Sequence, residues 1–68
     1  MELLQLRYFR DAAEMENFSK AAEKNLVPQP SISKTISKLE QELGVRLFDR
    51  NGKKISLNTN GKYFYEKV

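Results

Sequence analysis

Along the first fifteen residues, apolar side chains return every three or four positions. Leu3, Leu6, Phe9 and Ala13 recur with Arg7, Arg10, Asp11 and Glu14 between them, which predicts an amphipathic helix of about three turns. Asn17-Phe18-Ser19 interrupts that period, and Ser19 is placed to cap a second, shorter helix running to about Lys24. Ala21 and Ala22 keep one side of it small, so another helix can cross closely there. After Asn25-Leu26-Val27-Pro28, a third helix is expected from about Pro30 to Leu43. Its apolar stripe is Ile32, Ile36, Leu39 and Leu43, spaced four, three and four. At about 100° per residue these four share one narrow face. Pro30 is compatible with the first turn, where its missing amide has no intrahelical partner to lose. Gly44 is the expected terminator.

Beyond Gly44 the period changes. Val45-Arg46-Leu47-Phe48-Asp49-Arg50, then Asn51-Gly52, then Lys53-Lys54-Ile55-Ser56-Leu57 reads as strand, turn, strand. Asn58 or Thr59 can cap a fourth helix carrying Tyr63, Phe64 and Tyr65. No stop signal precedes Val68, so a fragment of a longer protein is expected. Consecutive aromatics cannot all face one side of a helix, so at least one of the three should point away from its own domain. The order of elements predicts a mainly α fold, a winged helix-turn-helix. The helix-turn-helix covers about residues 18–37, the wing about 46–57, and the domain as a whole residues 1–58.

Charge sharpens this picture. The net charge is +3, but residues 1–28 carry four basic and five acidic side chains, whereas residues 29–68 carry eight basic and four acidic ones. The positive excess therefore lies in the second part, as suits a protein with one anion-facing surface. Neither cysteine nor histidine occurs, which removes disulfides, thiolate metal sites and the usual general base. The carboxylates show no spacing that pairs them with a nucleophile or metal, so neither an enzyme nor a cofactor or metal site is expected. The apolar runs are too short for a membrane span or a signal-peptide core, which makes the cytoplasm the default location.

The polar side of the third helix carries the candidate chemistry. Opposite the apolar stripe lie Pro30, Ser33, Lys34, Ser37, Lys38 and Gln41, without an acid on that arc; Glu40 and Glu42 fall on the flanks. A helix entering the major groove reads with its N-terminal residues, where the helix dipole also favours phosphate. Gln29, Ser33 and Lys34 are residue types that reach base edges or phosphates. Arg50, Lys53 and Lys54 bracket the hairpin tip, from which basic side chains can follow the backbone or enter the minor groove. A merely solvated face, or a winged module that docks on protein without touching DNA, are the competing readings. The second requires an exposed apolar patch on the third helix, and this face is polar and basic.

The run S-K-A-A-E-K-N-L-V-P-Q-P-S-I-S-K-T-I-S-K-L-E-Q-E-L-G-V-R-L-F-D-R, residues 19–50, closely resembles the signature of LysR-type bacterial transcriptional regulators. The opening L-L-Q-L-R-Y-F and the closing I-S-L-N-T-N-G fit as well, so the resemblance covers essentially the whole chain. It implies sequence-specific double-stranded DNA binding at interrupted palindromes near promoters, in the bacterial cytoplasm and at the nucleoid. It also implies a linker helix beginning over residues 59–68 that joins two copies into a homodimer or higher oligomer. A small-molecule effector would be met only by a further domain absent from this chain. By the same resemblance Gln29, Pro30, Ser33 and Lys34 are expected in the major groove, and Arg50 and Lys53 on the wing. Pro28 stands where the family usually has Ser or Thr, Lys34 where Arg is common, and Asn58 where Thr is frequent.

Overall fold

A computed structural model describes residues 2–52 and 54–68. The elements run α1 (Leu3–Met15), α2 (Phe18–Asn25), α3 (Gln29–Leu43), β1 (Phe48–Asn51), β2 (Lys54–Leu57) and α4 (Thr59–Lys67). Three helices pack around one small core, and the two strands pair antiparallel beside them, with Phe48 opposite Leu57 and Asn51 opposite Lys54. The mainly α winged arrangement expected from the sequence is therefore present.

The buried arc of α1 differs from the expected stripe. Gln5, Tyr8, Phe9, Ala12 and Ala13 are buried, Leu6 is half-buried, and Leu3 stands 84% exposed. Positions 5, 8, 9, 12 and 13 follow the three-and-four spacing of a core-facing helix, with Gln5 at its first position. Gln5 belongs there because its Oε1 accepts the Glu2 backbone N–H at 2.9 Å, satisfying one donor that the helix start leaves open.

The second helix also starts earlier than Ser19. Asn17 is its cap, with Oδ1 accepting the Lys20 N–H at 2.8 Å. This start places Phe18 in the first turn, where it is buried and packs edge-on against Phe48 at 5.5 Å between ring centres. At its other end, Val27 N–H bonds to Ala22 O and Leu26 N–H to Glu23 O, which is a Schellman closure. Leu26 occupies its left-handed position with φ 56°. The turn then delivers Pro28 as the cap of α3, with no side-chain cap hydrogen bond. Ile32, Ile36 and Leu39 are fully buried and Leu43 packs at the core's edge, as the periodicity predicted.

The hairpin is one residue out of the expected register. Asn51 belongs to β1 and pairs with Lys54, so the turn begins at Gly52 instead of Asn51-Gly52. β1 begins at Phe48 and not Val45, because the Leu47 N–H is given to Glu40 of α3. Asn58 caps α4, accepting the Gly61 N–H at 2.8 Å while its own amide donates to Arg46 O at 2.9 Å. Gly61 is buried, and a Cβ there would run into Leu47 O and the Leu57 side chain. An aromatic seam crosses the core: Phe64 of α4 meets Phe9 at 5.0 Å, Phe9 meets Phe48 at 5.8 Å, and Phe48 meets Phe18. Of the three consecutive aromatics, Phe64 and Tyr65 face the domain and Tyr63 is 65% exposed.

Candidate nucleic-acid interface

With Ile32, Ile36 and Leu39 committed to the core, the 3.6-residue period turns the other side of α3 outward. Gln29, Pro30, Lys34 and Lys38 are exposed, while Ser33 and Ser37 are half-buried at the margins of that face. Gln29, Pro30, Ser33 and Lys34 line one shallow hollow at the start of the helix. Gln29 and Ser33 also line a neighbouring cleft whose other wall is Ser19 of α2 and Arg50 and Gly52 of the wing. The structure thus brings Gln29 and Ser33 together with Arg50 across one cleft, while Pro30 and Lys34 line only the adjoining hollow. Ser37 opens instead toward Gln41 and Arg46 at the far end of the helix. Lys54 is exposed at the start of β2, and Lys53 lies outside the described residues.

Electrostatically, Glu40 is turned away from the exposed arc, and Glu42 stays at its flank near the C-terminal end of α3. Glu40 Oε2 accepts the Leu47 N–H at 2.8 Å and Oε1 lies 3.5 Å from Arg50 Nη2. The Arg50 guanidinium also sits over the Phe18 ring, 5.4 Å from its centre. Arg50 is therefore partly tied into the fold, which sequence reasoning did not foresee. The signal that could have found this is the spacing of Glu40 one position beyond buried Leu39, at the edge of the stripe. Outside these clefts, Asp11 of α1 is buried against Lys24 and Asn25 of α2. Burial alone would raise its carboxyl, but the hydrogen bonds from Asn25 and Lys24, with the charges of Lys24 and Arg7, hold it below the ordinary value of 3.8. A hollow of about 690 Å³ runs along α1, past Leu3, Arg7 and Glu14 to Val68, and none of the candidate side chains lines it. Among the described residues no group of His, Cys, Asp or Glu is arranged to hold a metal ion. Among the described residues, likewise, no helix is long and apolar enough to cross a membrane.

Two helices joined by a tight turn, the second with a free polar face, and a basic hairpin alongside define a winged helix-turn-helix domain. The family model of the bacterial regulatory helix-turn-helix proteins of the lysR family matches residues 3–62. The chain belongs to that family. It is 47% identical over its full length to the HTH-type transcriptional regulator YybE of Bacillus subtilis (strain 168). Over 66 residues it is 41% identical to the HTH-type transcriptional regulator BenM of Acinetobacter baylyi. It spans 23% and 22% of the lengths of these two regulators. Among solved structures, the CbnR DNA-binding domain in complex with DNA superposes with a TM-score of 0.94 at 40% identity, covering 98% of this chain and 77% of that one. The BenM DNA-binding domain on benA site 1 DNA gives 0.92 at 40% identity, covering 98% and 78%.

Proposed function

We propose that this chain binds double-stranded DNA sequence-specifically, as the DNA-binding domain of a LysR-type transcriptional regulator. The observation that carries the reading is the outward face of α3, which presents Gln29, Ser33, Lys34 and Lys38 without an exposed acid among them. Its resemblance to domains crystallised on DNA supports placing that face in the major groove. Gln29 offers both a donor and an acceptor and reads a base edge, with Pro30 packing beside it and Ser33 and Lys34 reaching bases or phosphates. Ser37 and Lys38 meet the backbone, and Arg50, Lys53 and Lys54 bring the wing to the backbone or minor groove.

In the whole protein, residues 59–68 begin a linker helix that joins two copies. Exposed Tyr63 on α4 is a side chain available to that contact. A homodimer would hold two such faces over an interrupted palindrome near a promoter, in the bacterial cytoplasm. The test is titration of duplex DNA across a salt series. Each phosphate neutralised contributes a log–log slope of about −0.9, so several lysines and arginines on one surface give a steep slope. Binding insensitive to salt, or no binding at low salt, would overturn the reading.

A further inference from the structure

We propose that Glu40 is a positioning residue for DNA binding: its carboxylate fixes the wing against the recognition helix by holding the Leu47 amide and the Arg50 guanidinium together. The inference rests on the DNA-binding reading and deepens it. Glu40 projects from α3 with its side chain only 10% exposed. A carboxylate withdrawn from water needs partners that compensate its lost hydration, and here both oxygens are used on the wing. Oε2 takes the N–H of Leu47, immediately before β1, at 2.8 Å, and Oε1 meets Arg50 inside β1 at 3.5 Å. Arg50 also lies over the Phe18 ring of α2, 5.4 Å from its centre. The strand is thereby fixed to both helices of the helix-turn-helix motif at the cleft that Gln29 and Ser33 share with it. Arg50 pairs with Ile55, the neighbour of Lys54, so the same contact sets where Lys54 is carried.

The sign of the effect separates positioning from charge. Beside a polyanion, a carboxylate that acted only through its charge would weaken binding, and neutralising it would tighten the complex. If Glu40 acts by placing the wing, neutralising it weakens the complex instead. Glu40→Gln is isosteric and its amide oxygen can still accept from Leu47, so the substitution chiefly removes the counter-charge of Arg50. We expect duplex affinity to fall by up to about fivefold, the difference between a charge-assisted and a neutral hydrogen bond setting the upper bound on what the lost preorganisation costs.

A double-mutant cycle with Lys54→Ala supplies a readout that loss of stability alone would not move. In the parent, Lys54→Ala reduces the magnitude of the salt slope by about 0.9; in the Glu40→Gln background the reduction should be clearly smaller. Unchanged or tighter binding by Glu40→Gln, or an identical Lys54→Ala effect in both backgrounds, overturns the proposal. Should Glu40→Gln prove unfolded by circular dichroism, Glu40→Asp keeps the charge but shortens the reach by one methylene. Weakened binding then supports positioning, and parental binding overturns it. Failure of the parent chain to bind duplex DNA would instead sink the underlying reading, and is recognised before any variant is made.

Discussion

Leu26 sits at the one position of the turn between α2 and α3 where a leucine is the wrong residue for the backbone. Its φ is 56° and its side chain is 92% exposed. In the left-handed region the Cβ of an L-residue crowds the following carbonyl at a cost of about 1–2 kcal/mol, which glycine does not incur and asparagine tolerates better. Because the side chain is exposed, its removal forfeits little burial. Leu26→Gly adds freedom to the unfolded chain, which opposes the gain by about 0.4–1 kcal/mol. The net expectation is a stabilisation of about 0.5–1 kcal/mol. At about 4–8 °C per kcal/mol for a domain of this size, the melting temperature should rise by several degrees. Leu26→Asn should do at least as well, since it loosens the unfolded chain less. Leu26→Ala is the control: it also removes the exposed apolar surface but keeps the Cβ, so it should melt with the parent. Thermal unfolding followed by circular dichroism decides the matter. If the Gly and Asn variants melt at or below the parent, the strain reasoning is wrong. Asn25, one residue earlier, already carries an amide, but it is committed to Asp11 Oδ2 and Ala21 O, both at 2.8 Å, and cannot relieve its neighbour.

Other expectations follow from the same contacts. The Asp11 carboxyl is held below 3.8 in the folded chain, so its contribution to stability is fully present above that value and disappears as pH falls through the lower folded one. Denaturant titrations should show this acid loss, and Asp11→Asn should remove its share of it while costing about 1–3 kcal/mol at neutral pH. Gly61→Ala forces a Cβ against Leu47 O and the Leu57 side chain; a loss of about 1–3 kcal/mol is expected, and a melting temperature equal to the parent's would refute the close approach. Gln29→Ala should cost about 1–3 kcal/mol on the preferred site and relax preference at one base pair, whereas Lys38→Ala should weaken all sequences alike and flatten the salt slope. Competition assays giving both variants the same specificity profile would refute that division of roles.

The parts legible in the sequence were those where one local rule acts alone. The α3 stripe and Gly44 as terminator follow from spacing or from a single residue's geometry, and the α4 cap was narrowed to Asn58 or Thr59, of which Asn58 takes the position. The parts that were not legible depended on a partner distant in the chain. Leu3 matched the apolar period of α1, yet Gln5 is buried in its place because it satisfies the Glu2 amide. Ser19 and Asn17 are both good caps by type, and only the need to bury Phe18 against Phe48 chooses between them. Asn51-Gly52 signals a turn, but the ladder from Phe48–Leu57 to Asn51–Lys54 sets the register and moves that turn by one. On the candidate interface, the exposed face of α3 was readable from periodicity. The tie of Arg50 to Glu40 was not, since it needs the wing's position relative to α3.

That tie belongs to a wider pattern in how the chain uses its acids. Asp11 joins α1 to α2 through Lys24 and Asn25, Glu14 accepts the Tyr65 hydroxyl of α4 at 2.7 Å, Glu16 accepts the Leu57 N–H of β2 at 2.9 Å, and Glu40 holds β1. Four carboxylates therefore make four different joints between elements, and none of the four projects from the exposed arc of α3. A net charge of +3 consequently understates the field felt on that arc, because these four carboxylates lie off it while Lys34 and Lys38 on it, and Lys54 on the wing, stay in water. In a domain with so thin a core, hydrogen bonds accepted by ionised oxygens are among the stronger single contacts available. The joints do not need basic residues in equal number, since two of them accept backbone amides and one a phenol. The basic side chains of α3 are left outward, so on that helix the contacts that stabilise the fold and the charges that would meet phosphate reside on separate residues, whereas Arg50 of the wing combines the two.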